Sequence, residues 1–367
     1  MTVRTAPGAD ALAFLRERLV AQNALSGLVA LALAFGVGAL LILSMGVNPI
    51  EACAVLFQAS LGSTNGLAET AIRTVPLALA GIGIALSFRA GVFNVGAEGQ
   101  IFIGGIATAF VGVQLAGAPS AIVLPAMAAA AMLAGAFWSS IAGVLKLRFG
   151  ADELITTIML NYVAIHFVSY LLHGPLQAPG SPLAQTERLA RELRLPILVP
   201  TTRLHAGILL VILVTVAAQV WLWLSVGGFR LRSVGHNPRA ARSAGINVTG
   251  VTLLAFVLCG ALSGLAGFSE VAGVHRRMIE NLSPGFGYTA IIVALLGRTS
   301  PLGVLMAATL FAALQIGSST MESALGVPGA LIAMIQALVV LFLIGQGALF
   351  TAIGHLLRRR TAPETQR

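Results

Sequence analysis

The chain alternates long apolar stretches with short polar segments over most of its length. A helix needs about 20 apolar residues to cross the hydrocarbon core of a bilayer. Ten stretches meet or approach that length, although the stretch at 288–296 is too short to cross in full. The pattern predicts about ten transmembrane helices, some short or broken: Leu25–Met45, Thr70–Phe88, Ala97–Ala116, Ala121–Leu145, Leu154–Leu172, His205–Val226, Val251–Val274, Tyr288–Leu296, Pro301–Ser318 and Gly329–Phe350.

The composition supports a membrane protein. Hydrophobic residues make up 57% and charged residues 10% of the 367 positions, and the mean hydropathy is +0.93. A soluble globular protein carries about 25% charged residues, so this chain cannot cover a surface that faces water. These values exclude a soluble enzyme, a nucleic-acid-binding protein and a disordered chain. They predict an all-α polytopic membrane protein whose main solvent is the lipid bilayer.

The basic residues predict the orientation of the helices. If the amino terminus is cytoplasmic, most arginines and the lysine fall in cytoplasmic segments, as the positive-inside rule requires. Both ends of the chain are basic, so both are expected in the cytoplasm. We therefore expect a cytoplasmic segment 1–24, a transmembrane domain 25–350 and a basic cytoplasmic tail 351–367. Within the domain, we expect 173–203 to be an extracytoplasmic loop and 227–247 a cytoplasmic loop.

Two places interrupt the apolar pattern. Arg89–Gln100 and Glu280–Tyr288 are both rich in glycine and polar residues. In the predicted topology they lie toward opposite faces of the membrane, which is the arrangement of two inverted halves. The sequence thus predicts an inverted repeat. The helix count stays open, because ten crossings require 288–296 to count as one, and eight full spans with a re-entrant piece are the alternative.

Polar side chains at these breaks are candidates for the wall of a solute path. Asn94, Glu98 and Gln100 lie where the chain enters lipid, and ionisable groups at such depth tend to face a cavity or a partner. Alternatively, Glu98 has a structural role and caps a helix N terminus with its carboxylate. Glu270 is a further candidate, although it could equally pair with Arg276 or Arg277. The remaining path candidates are Asn161, Phe286 and Tyr288.

The basic loop 227–247 carries signals for a short helix. Asn237 can cap a helix whose first position is Pro238, and Gly245 can end it. A short capped helix with alanines on one side and arginines on another is typical of a docking site for a soluble partner. The alternative is a basic loop that only orients the membrane segments. The residues assigned to docking are His236, Asn237, Pro238, Arg239, Ala240, Ala241, Arg242, Ser243 and Gly245.

Several kinds of chemistry find no support in the sequence. The only lysine, Lys146, lacks the flanking residues of a phosphate-binding GxxxxGK[ST] loop. Cys53 and Cys259 lie far apart, with no partner at metal-ligand spacing, and no Ser/His/Asp set or HExxH motif occurs. We therefore expect that this chain is not an enzyme and binds no cofactor or metal of its own.

Four segments together resemble the permease subunits of ABC importers, in the branch that serves branched-chain amino acids, ribose-type sugars and nucleosides. They are GVFNVGAEGQIFIGG at 91–105, GADELITTIMLNY at 150–162, GHNPRAARSAGI at 235–246 and SPGFGYTAIIVALLGRTSPL at 283–302. The similarity covers nearly all of 70–350. It is greatest to the longer of two permeases in importers of nucleosides or simple sugars.

The resemblance implies partners and a location. It implies a heterodimer with a shorter permease, cytoplasmic ATPases that use ATP, and an extracytoplasmic solute-binding protein. It also implies that 235–246 holds the coupling helix that contacts the ATPase, and that the complex lies in the bacterial cytoplasmic (inner) membrane. The expected function is ATP-driven import of a nucleoside or, second, a simple sugar. The alternative is a stand-alone ion-coupled secondary transporter of a small polar solute that titrates Glu98, Glu270 or His166.

Overall fold

The described residues are mostly helical, and their only β structure is two isolated bridges. A computed structural model describes residues 32–331, 333–338, 341 and 342. The predicted segments 1–24 and 351–367 lie outside these residues. The helices are α1 Ala32–Ser44, α2 Pro49–Leu61, α3 Thr64–Arg89, α4 Ala97–Gln114, α5 Ser120–Phe149, α6 Glu153–Leu172, α7 Gly207–Leu224, α8 Val226–His236, α9 Pro238–Ser243, α10 Val248–Ser269, α11 Phe286–Leu296, α12 Pro301–Leu325 and α13 Gly329–Leu338.

Six helices within the described part are long and apolar enough to cross a membrane. The bent pair α1 and α2, which meet at 115°, raises the number to seven if they form one span. Each predicted stretch overlaps a helix within the described residues, which confirms a polytopic all-α membrane protein; residues 25–31 and 343–350 of the first and last stretches lie outside them. The predicted number of about ten is higher because α4 begins with polar residues and because α11 and α13 are short.

The chain divides into two compact units, one formed by residues 57–317 and the other by the two flanking segments. In the larger unit, α3 and α10 are the central helices. About 83% of the most apolar part of α3 and 78% of that of α10 are buried, whereas α5, α6 and α7 have only 22–28% of theirs buried. Exposed apolar side chains such as Leu133, Phe137 and Leu213 cover these outer helices. Hence α5, α6 and α7 present the surfaces suited to lipid.

Helices α4, α5 and α10 approach one another through small residues. A Cβ atom at Gly104 of α4 would lie 2.4 Å from the Cα of Gly264 in α10. On its other side, a Cβ atom at Gly264 would lie 2.1 Å from the carbonyl oxygen of Ala131 in α5. Backbones can pack this closely in a membrane only where the side chains are minimal. These positions bring α4, α5 and α10 into contact and so place the chain break that precedes α4.

Local capping sets the start of α6. The helix α5 ends at Gly150, whose φ is +68°, and two residues later Asp152 takes the N-cap position. One carboxylate oxygen of Asp152 accepts hydrogen bonds from the amides of Leu154 and Ile155 at 2.8 and 3.3 Å. Lys146 near the end of α5 forms an ion pair with Glu153 at the start of α6. The turn between α5 and α6 is therefore fixed by the Asp152 cap and by the ion pair of Lys146 with Glu153.

The loop 173–203 is pinned to the segment that follows α10. The amides of Thr186, Leu189 and Leu195 donate to backbone oxygens of residues 278, 276 and 272, at 3.0, 2.8 and 3.0 Å. Leu189 and Leu193 are each 1% exposed and belong to the hydrophobic core. The sequence gives no such expectation for this loop, which it assigns only to the extracytoplasmic side.

The smaller unit has its own buried apolar residues. Its described residues include α1, the first part of α2 and the C-terminal part of α12. Ala34, Ile42 and Ala52 are at most 4% exposed. Ile335 of α13 lies close enough to α1 that a side chain at Gly38 would overlap it.

Candidate functional site

The first chain break is held together by side chains of α6. Between α3 and α4 the backbone leaves the helical path, and Val95 has no helical partner. The amide of Val95 donates to the hydroxyl of Thr157 at 3.2 Å. Asn161 accepts from the amide of Gly99 at 2.9 Å and donates to the carbonyl of Val95 at 3.0 Å. A broken membrane helix leaves such backbone groups unpaired, and α6 supplies the missing partners.

Asn94 lies inside the same network. Its Oδ1 atom accepts from the amide of Gly96 at 2.8 Å and from Nε2 of Gln100 at 3.3 Å, and its Nδ2 donates to the hydroxyl of Ser139 at 3.0 Å. Asn94 is completely buried and Gln100 is 1% exposed. Only Oε1 of Gln100 lacks a protein partner in this network of described residues. The two side chains thus shape the break.

The Glu98 carboxylate joins the two breaks. Glu98 is 3% exposed, and its Oε2 accepts from the amide of Gly287 at 2.6 Å. Ser283 and Gly285 lie near the same carboxylate. These groups form the N terminus of α11, where a carboxylate is favoured by the unpaired amides and the helix dipole. The structure therefore gives Glu98 the capping role, on a helix 189 residues along the chain.

The close approach of the two breaks depends on a glycine. A Cβ atom at Gly287 would lie 2.3 Å from the amide nitrogen of Glu98 and 2.6 Å from its Cα atom. No side chain fits at that distance. The N termini of α4 and α11 consequently touch through their backbones, and Tyr288, 40% exposed, interacts with the Asn161 side chain beside them.

Glu270 lies in a different part of the site. After Ser269 the helix α10 widens into a π-helical turn, Glu270–His275. This turn places residues five apart on one side, and Oε2 of Glu270 lies 3.5 Å from Nε2 of His275. The alternative ion pair with Arg276 or Arg277 is not formed, because the π turn brings His275 to the carboxylate instead.

A cavity of about 270 Å³ opens between α3, the π turn and the start of α11. The guanidinium of Arg73 lies 5.6 Å from the centre of the Phe286 ring, and Arg203 pairs with Glu69 at 3.5 Å. Sequence reasoning missed Glu69 and Arg73, although an arginine in an apolar stretch is itself a signal. The charged, polar and aromatic residues that line this cavity include Glu69, Arg73, Arg203, Glu270, Asn281 and Phe286.

The structure divides the predicted path residues into two groups. Asn94, Glu98, Gln100 and Asn161 surround the N terminus of α4, and Tyr288 lies beside them. Glu270 and Phe286 line the cavity. Phe286 connects the groups, because it is the first residue of α11 and precedes Gly287. No observation tests contact with a solute, so that assignment stays a prediction.

The predicted short helix is present as α9. Oδ1 of Asn237 accepts from the amides of Arg239 and Ala240 at 3.0 and 3.1 Å, Pro238 occupies the first turn, and Gly245 follows with φ of +78°. These caps confirm the local prediction. The side chain of Ala241 is 4% exposed and anchors the helix, whereas the other assigned residues are exposed: His236, Asn237, Pro238, Arg239, Ala240, Arg242, Ser243 and Gly245.

The end of α8, which leads into α9, contacts the start of the first break. Gly235, near the end of α8, lies so close to the chain that a Cβ atom there would be 1.9 Å from the carbonyl oxygen of Arg89. Arg89 in turn donates to the carbonyl oxygens of Thr299 and Arg298, at 3.1 and 3.2 Å, between α11 and α12. Displacement of α8 is therefore transmitted directly to the start of the break.

Comparison with known proteins decides the family. Residues 66–344 match the family described as the permease component of the branched-chain amino acid transport system. The chain belongs to this permease family. The match spans both breaks, the cavity and α9. It confirms the resemblance that the four sequence segments predicted, and no solved structure matches the chain.

Individual relatives are ABC transporter permeases. The glucose ABC transporter permease of Haloferax volcanii is 41% identical over 321 residues, which cover 85% of this chain and 84% of that protein. A guanosine ABC transporter permease of Bacillus subtilis is 34% identical over 90% of this chain and 96% of its own length. A second guanosine permease of that bacterium is 29% identical over 66% of this chain and 78% of its own length.

These similarities establish the chain as an ABC transporter permease, a multi-pass membrane subunit and not itself an enzyme. They confirm the predicted class of function. They do not test the roles of individual site residues.

Proposed function

We propose that the chain carries a nucleoside or a simple sugar inward as the longer permease of an ATP-driven importer in the bacterial cytoplasmic membrane. Relatives named for glucose and for guanosine support both solutes. Both are small, neutral and polar, in keeping with the mixture of polar groups and the Phe286 ring around the cavity. Both termini are cytoplasmic in this proposal.

The observation that carries the proposal is the continuous contact from α9 to the cavity. Exposed α9 continues from α8, and Gly235 of α8 touches the Arg89 carbonyl. The break that follows Arg89 leads to Glu98, which binds the amide of Gly287. Gly287 follows Phe286, which lines the cavity. A push on α9 thereby reaches the cavity through packed backbone and the buried Glu98 carboxylate.

The proposed partners follow from the family and from α9. The arginine-bearing surface of α9 binds a cytoplasmic ATPase, which hydrolyses the ATP, while this chain binds no cofactor or metal. A shorter permease completes a heterodimer, which the two guanosine permeases of one bacterium support. An extracytoplasmic binding protein delivers the solute. Family membership argues against the alternative of a stand-alone ion-coupled transporter.

Reconstitution tests the proposal. The full complex is placed in proteoliposomes with ATP on the ATPase side, the binding protein on the other side, and labelled guanosine or glucose as the solute. We expect accumulation of one of the two solutes only with ATP, and none by this chain alone under a proton or sodium gradient. Concentration of either solute by the isolated chain would overturn the proposal.

A further inference from the structure

A second and larger cavity, of about 480 Å³, is lined by four arginines: Arg191, Arg194, Arg203 and Arg276. It lies between the pinned loop 173–203 and the segment after the π turn. No carboxylate from the described part of the chain lines it; Glu69 reaches Arg203 from the neighbouring cavity at 3.5 Å, and Glu192 lies near Arg194. A neutral nucleoside or sugar gives no role to this much positive charge.

Two of the arginines, Arg194 and Arg276, make hydrogen bonds with the backbone of the loop. Arg194 donates from Nε and Nη2 to the carbonyl oxygen of Leu189, at 3.2 and 2.9 Å. The carbonyl of Arg276 accepts from the amide of Leu189 at 2.8 Å. Arg276 has φ of +62°, a strained conformation for any residue except glycine. Strain of this kind persists where the surrounding structure enforces it, often at binding sites.

A buried histidine beside the same cavity has one ring nitrogen without a partner. His205 lines the cavity and is 2% exposed. Its Nδ1 atom accepts from the amide of Gly207 at 3.1 Å, so the proton of the neutral ring lies on Nε2. Nε2 is buried and has no hydrogen-bond partner among the described residues. A buried N–H group without a partner is costly, and this one lies against Gly273, another residue of the cavity wall.

We propose that this cavity is a binding site for a phosphate group. A carboxylate would neutralise only one of the four arginines, whereas a phosphate group offers up to two negative charges and several oxygens. Guanidinium groups bind such oxygens in paired hydrogen bonds. The phosphate belongs either to a soluble molecule or to a lipid headgroup, and the two sources share this chemistry. The proposal does not depend on which neutral solute the permease carries.

Calorimetric titration of the purified complex with inorganic phosphate tests the site, against sodium chloride at equal ionic strength. We expect saturable binding to the wild type. The double variant Arg191→Gln/Arg276→Gln should weaken it by at least about tenfold, since each charged hydrogen bond contributes about that much. The matched control is Arg188→Gln/Arg277→Gln, which removes the same charge from adjacent positions outside the cavity. Its affinity should stay within about twofold of the wild type.

Two outcomes overturn the proposal: no phosphate binding by the wild type beyond the chloride control, or equal weakening in the control variant. If the double variant does not assemble, Arg276→Gly replaces it, because glycine adopts the required φ without strain. That variant should be at least as heat-stable as the wild type, yet gain less stability from added phosphate than the wild type does. A stabilisation by phosphate equal to that of the wild type would contradict the site.

The source of the phosphate is decided in nanodiscs. If it is a lipid headgroup, phosphatidylglycerol co-purifies with the wild type and not with the double variant, and inorganic phosphate binds more weakly in discs that contain this lipid. If it is a soluble molecule, inorganic phosphate binds equally in discs of phosphatidylcholine alone and in discs with phosphatidylglycerol. Both results support a phosphate site and separate its two sources.

Discussion

The amide of Gly287 donates a hydrogen bond of 2.6 Å to the carboxylate of Glu98, two residues that lie 189 positions apart in the chain. Each residue belongs to the first turn of a helix that follows a break. The contact makes α4 and α11 one mechanical element, because neither N terminus can move without stretching it. Its removal is thus the most direct test of the site.

Replacing Glu98 by alanine should destabilise the complex and reduce uptake. The variant leaves the amide of Gly287 without its acceptor, a loss of about 1–2 kcal/mol for a helix cap in a buried setting. Glu98→Gln retains an acceptor oxygen, so its stability and its uptake rate should lie between those of Glu98→Ala and the wild type. The melting temperature and the rate of solute uptake are measured together. Glu187→Gln, at an exposed position of the loop 173–203, is the control. Equal melting temperatures for Glu98→Ala and the wild type would contradict the capping role.

Replacing Gly287 by alanine should uncouple the two breaks without changing any charge. The added methyl group would lie 2.3 Å from the amide nitrogen of Glu98, so α4 and α11 must separate. Overpacking of this kind costs about 1–3 kcal/mol. We expect uptake to fall while membrane insertion persists, measured by transport and by yield. Gly117→Ala, at a position with open space around it, should behave as the wild type.

Asn161→Asp tests whether α6 supplies the partners of the first break. Aspartate can still accept from the amide of Gly99, but it cannot donate to the carbonyl of Val95. We expect a loss of about 1–3 kcal/mol from the unpaired carbonyl and the buried charge, read as a lower melting temperature. A variant as stable as the wild type would show that the break does not depend on this side chain.

Proline at Ala240 tests the coupling role of α9. The substitution removes an amide that donates to Asn237 and so weakens the cap by about 1 kcal/mol. We expect ATP hydrolysis by the complex to continue while solute uptake per ATP falls. The double variant Arg239→Ala/Arg242→Ala should do the same by removing the exposed charges. Arg230→Ala, on exposed α8, is the matched control, and unchanged uptake by both α9 variants would exclude the coupling role.

The stability of the described fold should fall in mild acid because of His205. Burial, and then the charge of Arg203, lower the pKa of His205 from 6.5 to about 4. Between these values the unfolded chain binds the proton more readily than the folded one, so stability is full above pH 6.5 and is lost as pH falls toward 4. The shift corresponds to about 3 kcal/mol. His205→Asn can keep an acceptor for the amide of Gly207 and should flatten the dependence of melting temperature on pH. An unchanged profile in this variant would assign the acid sensitivity to another group.

The sequence predicted the features that depend on residues close together in the chain. Asn237, Pro238 and Gly245 define α9 because a cap, a first-turn proline and a left-handed stop act within a few residues. The polar and glycine-rich residues of Arg89–Gln100 and Glu280–Tyr288 likewise marked both breaks. The ten apolar stretches located helices. The number of full spans differed because hydropathy alone does not show where a helix begins after a polar turn.

The sequence could not predict which residues meet across long separations. Asn161 binds Gly99 from 62 positions away, and nothing in either segment specifies the other. The loop 173–203 is fixed chiefly by backbone hydrogen bonds, which leave no trace in residue type. Glu270 seemed suited to a neighbouring arginine, but a π turn, invisible in the apolar pattern, gave it His275. Such pairings between distant segments become visible only in the folded structure.

The Trp223 ring helps to hold α8 against α3. The indole of Trp223 lies between two guanidiniums, with Arg89 at 5.4 Å on α3 and Arg232 at 4.4 Å on α8. Sliding α8 past α3 must open at least one of these contacts, at about 0.5–1 kcal/mol each where they are exposed. Trp223 therefore opposes spontaneous rearrangement in the absence of nucleotide, yet its resistance is small compared with the energy that one hydrolysed nucleotide provides.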